Sequence, residues 1–240
     1  IMLTHRNLMV NLDAIRIGLD LHFPDHTGNW MPLFHDMGLI GYHLTPMYSF
    51  NHQSHIETID FIKNPGLWLD LMSYAGIAVT GCPNFGLALV LRHLKRRKTF
   101  PDWNFASMKA MLNGAEPISV QIMNDFVEIL QPYGFRPEAM MPVYGMAEAT
   151  LAISFTPLMQ PSVITAFDAT LLDREQTAVK VADDLPGARL LSAVGVPLND
   201  TEIRIVDHAD EQVNEGQAGH IQLKGAGITK GYFKKPEATQ

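Results

Sequence analysis

The chain has 240 residues, 47% of them hydrophobic and 18% charged, with a formal net charge of −7. That is enough to bury a sizeable core in one or two domains, and the acidic balance argues against a general nucleic-acid binder, which would carry a basic excess. No run approaches the roughly 18 apolar residues of a membrane-spanning helix, and Cys82, the only cysteine, excludes an intrachain disulfide and fits a reducing, cytoplasmic setting.

Leu8, Leu12, Ile15 and Leu19 recur at helical spacing and predict an amphipathic helix that Thr4 or Asn7 can cap. Asn29 to His35 predicts a short apolar strand, and Asp36 stands where an N-cap would sit before Met37. Pro65 to Tyr74 reads as a helix with its proline in the first turn. Ile77 to Thr80 reads as a buried strand ending at Gly81, and Asn84 to Lys95 as a strongly apolar helix. The basic run Arg92 to Lys98 closes that helix; its cations suit the C-terminal dipole, and the sharper alternative is docking of an acidic partner.

The alternation then repeats, with a strand at Met108 to Leu112, a helix at Ser119 to Leu130 and a strand at Met140 to Tyr144. Strands separated by helices of ten or more residues predict an α/β fold, a parallel sheet with flanking helices. Thr156 to Leu190 shows little periodicity. Thr201 to Asp207 and Gly219 to Lys224 alternate with period two and predict an antiparallel ribbon, the start of a small barrel-like β unit. The expected organisation is an α/β part over residues 1–155, an irregular connection over 156–195 and the β unit over 196–240.

Several chemical signatures are absent. Gly225-Ala226-Gly227 continues Ile228-Thr229-Lys230, without the third glycine of a dinucleotide loop, and there is no Walker phosphate loop or G-x-S-x-G elbow. His22, Asp25 and His26 make a poor metal set because Pro24 interrupts any shared helical face, and His52 and His55 fare no better. Cys82 reads as a buried, inert thiol rather than a nucleophile. What remains is a group of loops at the expected carboxyl ends of strands, where α/β sheets bind ligands: Phe34-His35-Asp36, Gly81-Cys82-Pro83-Asn84, Asn113-Gly114-Ala115-Glu116-Pro117 and Tyr144-Gly145-Met146-Ala147-Glu148. Gly114 and Gly145 permit close backbone approach to a flat ligand. Tyr144 offers a ring for a base, Asn113 an amide, and Glu148 a hard oxygen for magnesium. Turn glycines, a core tyrosine and a helix-starting glutamate are the plainer readings of the same residues.

Tyr144-Gly145-Met146-Ala147-Glu148-Ala149-Thr150 resembles the Y-G-x-[T/A]-E motif of adenylate-forming ligases, in the Y-G-x-A-E-A-T form of fatty acyl-AMP ligases. Trp30-Met31-Pro32-Leu33-Phe34-His35-Asp36-Met37-Gly38-Leu39-Ile40-Gly41 is similar to their W-x-P-x-x-H-D-M-G-L-I-G segment. Gly81-Cys82-Pro83-Asn84-Phe85 resembles G-G-P-N-F with Cys82 for the second glycine, and Asn113 to Pro117 matches N-G-A-E-P, followed by the similar stretch Gly134 to Glu138. Gly231-Tyr232-Phe233 with Pro236-Glu237-Ala238-Thr239 resembles G-Y-W-x-x-P-E-A-T. These ordered matches cover nearly the whole chain.

The resemblance implies two-step chemistry: a fatty acid attacks the α-phosphate of ATP, and the resulting acyl-adenylate passes its acyl group to a thiol of an acyl carrier protein or coenzyme A. It implies that Gly114, Ala115 and Glu116 line an adenine pocket with Asn113, Gly145, Met146 and Ala147, while Tyr144 stacks on the base. Glu148 would hold magnesium and, with His35, form the catalytic set. His35 and Asp36 would stand at the mouth of an acyl pocket, with Pro83, Asn84 and Phe85 deeper along it. Ala147, where many relatives have threonine, points to the acyl-AMP subfamily. The long connection after Thr150 is expected to contain that subfamily's insertion, linked to disfavouring coenzyme A; an ordinary surface loop is the plainer reading. A fatty acid–coenzyme A ligase is the neighbouring alternative, and a non-catalytic acyl- or nucleotide-binding module the alternative of another class.

The opening Ile1-Met2-Leu3 and the close at Gln240 read as those of a fragment. By resemblance, the phosphate loop precedes Thr4-His5-Arg6-Asn7, and the ribose-binding aspartate and lysine-bearing domain follow Gln240. The 240 residues alone are therefore expected to be catalytically incomplete.

Overall fold

A computed structural model describes residues 1–97 and 99–239. Helix α1 (His5–Gly18) begins at Thr4, whose hydroxyl accepts from Asn7 N while the Asn7 side chain accepts from Thr4 N, a reciprocal capping box. Strand β1 (His26–Asn29) leads into a π-helical segment, Met37–Leu44, the short helix α2 (Thr45–Tyr48) and strand β2 (His52–His55). Helices α3 (Thr58–Lys63) and α4 (Gly66–Tyr74) precede β3 (Val79–Cys82), α5 (Asn84–Leu94), β4 (Ala110–Asn113), α6 (Val120–Leu130) and β5 (Met140–Gly145). The chain then forms β6 (Ala152–Phe155), β7 (Ile164–Asp168), α7 (Ala169–Glu175), β8 (Ala188–Ser192), β9 (Val196–Pro197), β10 (Thr201–Val206) and β11 (His220–Gly225).

The main sheet has the order β2-β1-β3-β4-β5-β6-β9. Pairings from β2 through β5 are parallel, in register Val79↔Ala110 and Met111↔Met140, and β6 and β9 close the sheet antiparallel. Alternation along β3 separates the two faces. Cys82 meets Gly86 of α5, whereas Gly81 has no side chain and leaves room for the Tyr42 hydroxyl of the π-helical segment.

On the α5 side, Trp30 stacks on Phe61 with ring centroids 3.8 Å apart, and Trp68 meets both rings edge-on. Phe126 and Phe135 extend this aromatic cluster. Burying each such ring stabilises the fold by about 1.5–3 kcal/mol. The Trp68 indole N–H donates to Thr80 Oγ1, which donates to Gly28 O, so the buried polar atoms of this pair are satisfied. On the other face, Leu12, Ile15 and Leu19 of and just beyond α1 are buried. Asn11 accepts from Ala152 N and donates to Ala152 O, occupying the backbone positions a strand neighbour would take.

The structure corrects several expectations. The first strand is His26–Asn29 and not Asn29 to His35: the Asn29 amide bonds both N and O of Met31 and turns the chain out of the sheet. Strand β3 runs two residues later than its apolar run alone suggests, and β4 starts two and ends one residue later, because strand pairing continues through Gly81-Cys82 and Asn113. Residues 156–195 are not irregular throughout. β7 pairs antiparallel with β8, and between them Asp168 caps α7 through Thr170 N and Leu171 N. β10 and β11 form the expected ribbon, while Val196–Pro197 joins the main sheet through β6.

Candidate functional site

Because β1, β3, β4 and β5 are parallel, their carboxyl ends lie on one edge of the sheet, and the unusual loops gather there. A cavity of about 230 Å³ opens at this edge. His35, Asp36, Ala115, Tyr144, Gly145 and Met146 of the expected site line it. Ile15, Leu19, Tyr42, Leu151 and Phe155 supply an apolar wall.

Backbone geometry makes this cavity specific to its sequence. A side chain at Gly145 would bring its first carbon to 2.2 Å from Leu151 O, so only glycine allows the strand to turn there. Ala115 holds φ +66°, a left-handed conformation that costs an L-residue about 1 kcal/mol, just where the β4 loop reaches the cavity. Tyr144 is half-buried, with its hydroxyl 3.9 Å from Met146 Sδ.

At the mouth, Asp36 Oδ1 lies 2.9 Å from His35 Nδ1 and accepts from Met37 N at 2.7 Å, starting the π-helical segment as the N-cap position predicts. Burial of Asp36 opposes its ionisation, but hydrogen bonds from His35 and Met37 outweigh burial and hold the carboxyl below its ordinary range. Met37 N also donates to His35 Nδ1 at 3.1 Å, so one backbone N–H ties both side chains to the start of the π-helical segment.

The remaining expected residues lie around the cavity without lining it. Asn113 is fully buried and pairs in register with Cys82; alternation from cavity-lining Leu112 puts its amide on the opposite face. Glu116 Oε1 accepts from Phe85 N at 2.5 Å, and Asn84 Oδ1 accepts from Ser119 N. Pro83, Asn84, Phe85 and Glu116 therefore lock the first turn of α5 to the loop after β4. Gly114 packs against Val143 O, where a side chain would come within 2.7 Å. Burial pushes the Cys82 thiol well above its ordinary pKa, as the inert reading requires.

Ala147 and Glu148 sit in a 3-10 turn, Ala147–Ala149, that the segment after β11 crosses. Glu148 O accepts from Thr229 N and Gly227 O accepts from Thr150 Oγ1, both at 2.7 Å, while Asn7 Nδ2 donates to Ala226 O and Ile228 O. Tyr232 donates its hydroxyl to Glu148 Oε1, and this bond first, with burial second, raises the phenol above its ordinary pKa. Sequence reasoning assigned Tyr232 no role although its G-Y-F signature was visible, because its partner lies 84 residues away. Tyr42 gave no signal beyond its place after Gly41.

Helix α5 starts beside the site and runs about 1.5 Å per residue away from it. Arg92 and the exposed Arg96 and Arg97 therefore lie toward the opposite edge of the sheet, which disfavours the basic run as a docking surface for a partner serving the cavity. Lys98 of that run lies outside the described residues. Among the described residues no three His, Cys, Asp or Glu side chains cluster to hold a metal, and no helix is long and apolar enough to cross a membrane.

The family model for AMP-binding enzymes matches residues 1–233. A protein of Mycobacterium tuberculosis is 33% identical over 97% of this chain and 43% of its own length. A medium-chain-fatty-acid–[acyl-carrier-protein] ligase of Teredinibacter turnerae is 31% identical over 100% of this chain and 37% of its own. A fatty acyl-adenylate ligase from L. pneumophila, solved with acyl adenylate and pyrophosphate, superposes with a TM-score of 0.93 at 29% identity, covering 100% of this chain and 42% of that one. The chain thus spans about two fifths of the length of the proteins it matches. With a family match over residues 1–233 of its 240, the chain belongs to the AMP-binding enzyme family.

Proposed function

We propose that the protein carrying this chain is an ATP-dependent fatty acyl-AMP ligase that works in the cytoplasm and delivers its acyl group to a carrier protein. One observation carries the reading: a single cavity joins the Tyr144-Gly145-Met146 rim, suited to a flat base, to an apolar wall that includes Ile15, Leu19 and Phe155. An acyl-adenylate needs both environments at adjoining positions.

In this reading Tyr144 stacks on adenine, and Ala115 offers the backbone of the β4 loop to the base edge. Gly114 and Gly145 keep the two loops close enough to grip it. His35, oriented by Asp36, stands where the carboxylate meets the α-phosphate and orients the attacking oxygen. Positioning of this kind supplies much of the rate in phosphoryl-type transfer. Glu116, Asn84 and Phe85 act by holding the loop after β4 against α5.

Glu148 is the magnesium ligand of this scheme. Its Oε2 accepts no hydrogen bond among the described residues, which leaves one hard oxygen available. A single carboxylate fits magnesium when phosphate oxygens complete the shell. Magnesium there would neutralise charge on the phosphates. We assign residues 156–195, with the β7–β8 hairpin, to the insertion that disfavours coenzyme A.

The protein is incubated with ATP, magnesium and fatty acids of graded length. Acyl-adenylate and pyrophosphate should form, and a phosphopantetheinylated carrier should accept the acyl group in preference to coenzyme A. Acyl-coenzyme A formed as readily as acyl-adenylate contradicts the carrier assignment.

A further inference from the structure

We propose that Tyr232 is a positioning residue for magnesium binding: its hydroxyl fixes one oxygen of Glu148 so that the other faces the nucleotide phosphates. This rests on the reading of Glu148 as the magnesium ligand and goes beyond it by naming what orients that ligand.

Three contacts bring Tyr232 to this position. Thr229 N donates to Glu148 O, Thr150 Oγ1 donates to Gly227 O, and the Tyr232 hydroxyl donates to Glu148 Oε1. The first two attach the backbone of the crossing segment to the turn that bears Glu148, so the third does not depend on a free tyrosine rotamer. Asn7, in the first turn of α1, holds the same segment through Ala226 O and Ile228 O. Oε2 of the carboxylate has no protein donor among the described residues. A carboxylate with one oxygen fixed and one available is preorganised for a cation. Hydrogen bonds from outer residues to ligating carboxylates are worth roughly 10- to 100-fold in metal affinity. A phenol also suits the task because it donates to the carboxylate without adding positive charge that would repel the ion.

The test compares the full-length wild-type protein carrying this chain with its Tyr232→Phe variant, which removes one oxygen and keeps the ring. Binding of AMP without metal, binding of ATP over a magnesium titration, and the melting temperature are measured for both. The magnesium concentration giving half-maximal enhancement of ATP binding should rise about 10- to 100-fold in Tyr232→Phe, with AMP binding and melting temperature unchanged. Glu148→Gln should remove the magnesium enhancement in either background. An unchanged magnesium midpoint in Tyr232→Phe overturns the proposal, as does an equal loss of AMP binding, which marks a merely structural role. A full-length wild-type protein that binds AMP but shows no magnesium enhancement overturns it through Glu148 while leaving the nucleotide site standing. A full-length wild-type protein that binds neither AMP nor ATP overturns both.

Discussion

At the scale of single residues, the site is made as much by absent side chains as by present ones. Gly145 faces Leu151 O so closely that a methyl group cannot enter without moving β5 or β6. Gly145→Ala should therefore cost about 1–3 kcal/mol of stability, seen as a lower urea midpoint, and should weaken nucleotide binding in parallel. An unchanged midpoint would show that the turn yields and that the contact does not shape the cavity. Much of this scale was legible in the sequence: His35, Asp36, Ala115, Tyr144, Gly145 and Met146 fall on one cavity. The rest was not, for a definite reason. Residues that share a motif share a loop but not a direction, so Asn113 turns to the opposite face from Leu112, and Glu116 turns to Phe85 N.

At the scale of elements, α1 was readable because its signals are local: a capping threonine and apolar residues three and four apart. The β7–β8 hairpin was not. Its strands are half-exposed and lack alternation, and their pairing spans the whole of α7. The strand boundaries moved for a similar reason, since backbone pairing with β4 carries β3 on through Gly81 and Cys82, where apolarity alone suggests an end. The junction that places the site is the contact between α1 and β6. Asn11→Ala would remove both hydrogen bonds to Ala152, the one its N–H donates and the one its C=O accepts, a loss of about 2–4 kcal/mol. Denaturant unfolding checks the value, and a change below about 0.5 kcal/mol would mean that α1 is held by apolar packing alone.

At the scale of the whole molecule, pH acts through histidines held neutral. Burial lowers the pKa of His26 and His55 from 6.5; at His26 a backbone hydrogen bond at Ala75 opposes the shift and repulsion from His52 adds to it, and at His55 repulsion from His43 adds to it. Burial and the neighbouring Arg97 and Arg96 lower His93 likewise, against an opposing contribution from Asp70. Below pH 6.5 the unfolded chain takes up protons that the folded chain resists, so folding stability should fall as pH drops through about 6.5 towards 5. Urea midpoints at pH 7.5 and 5.5 should show this, with part of the difference removed by His26→Gln and His55→Gln. A higher midpoint at pH 5.5 would contradict it.

The whole-molecule claim is that one cavity at the strand carboxyl ends receives both halves of an acyl-adenylate. It is tested most directly by calorimetric titration of the chain with a hydrolysis-resistant decanoyl-adenylate analogue, alongside Tyr144→Ala. Saturable binding of one molecule per chain is expected, weakened about tenfold or more when the ring is lost. No binding, or equal affinity in the two proteins, would contradict it.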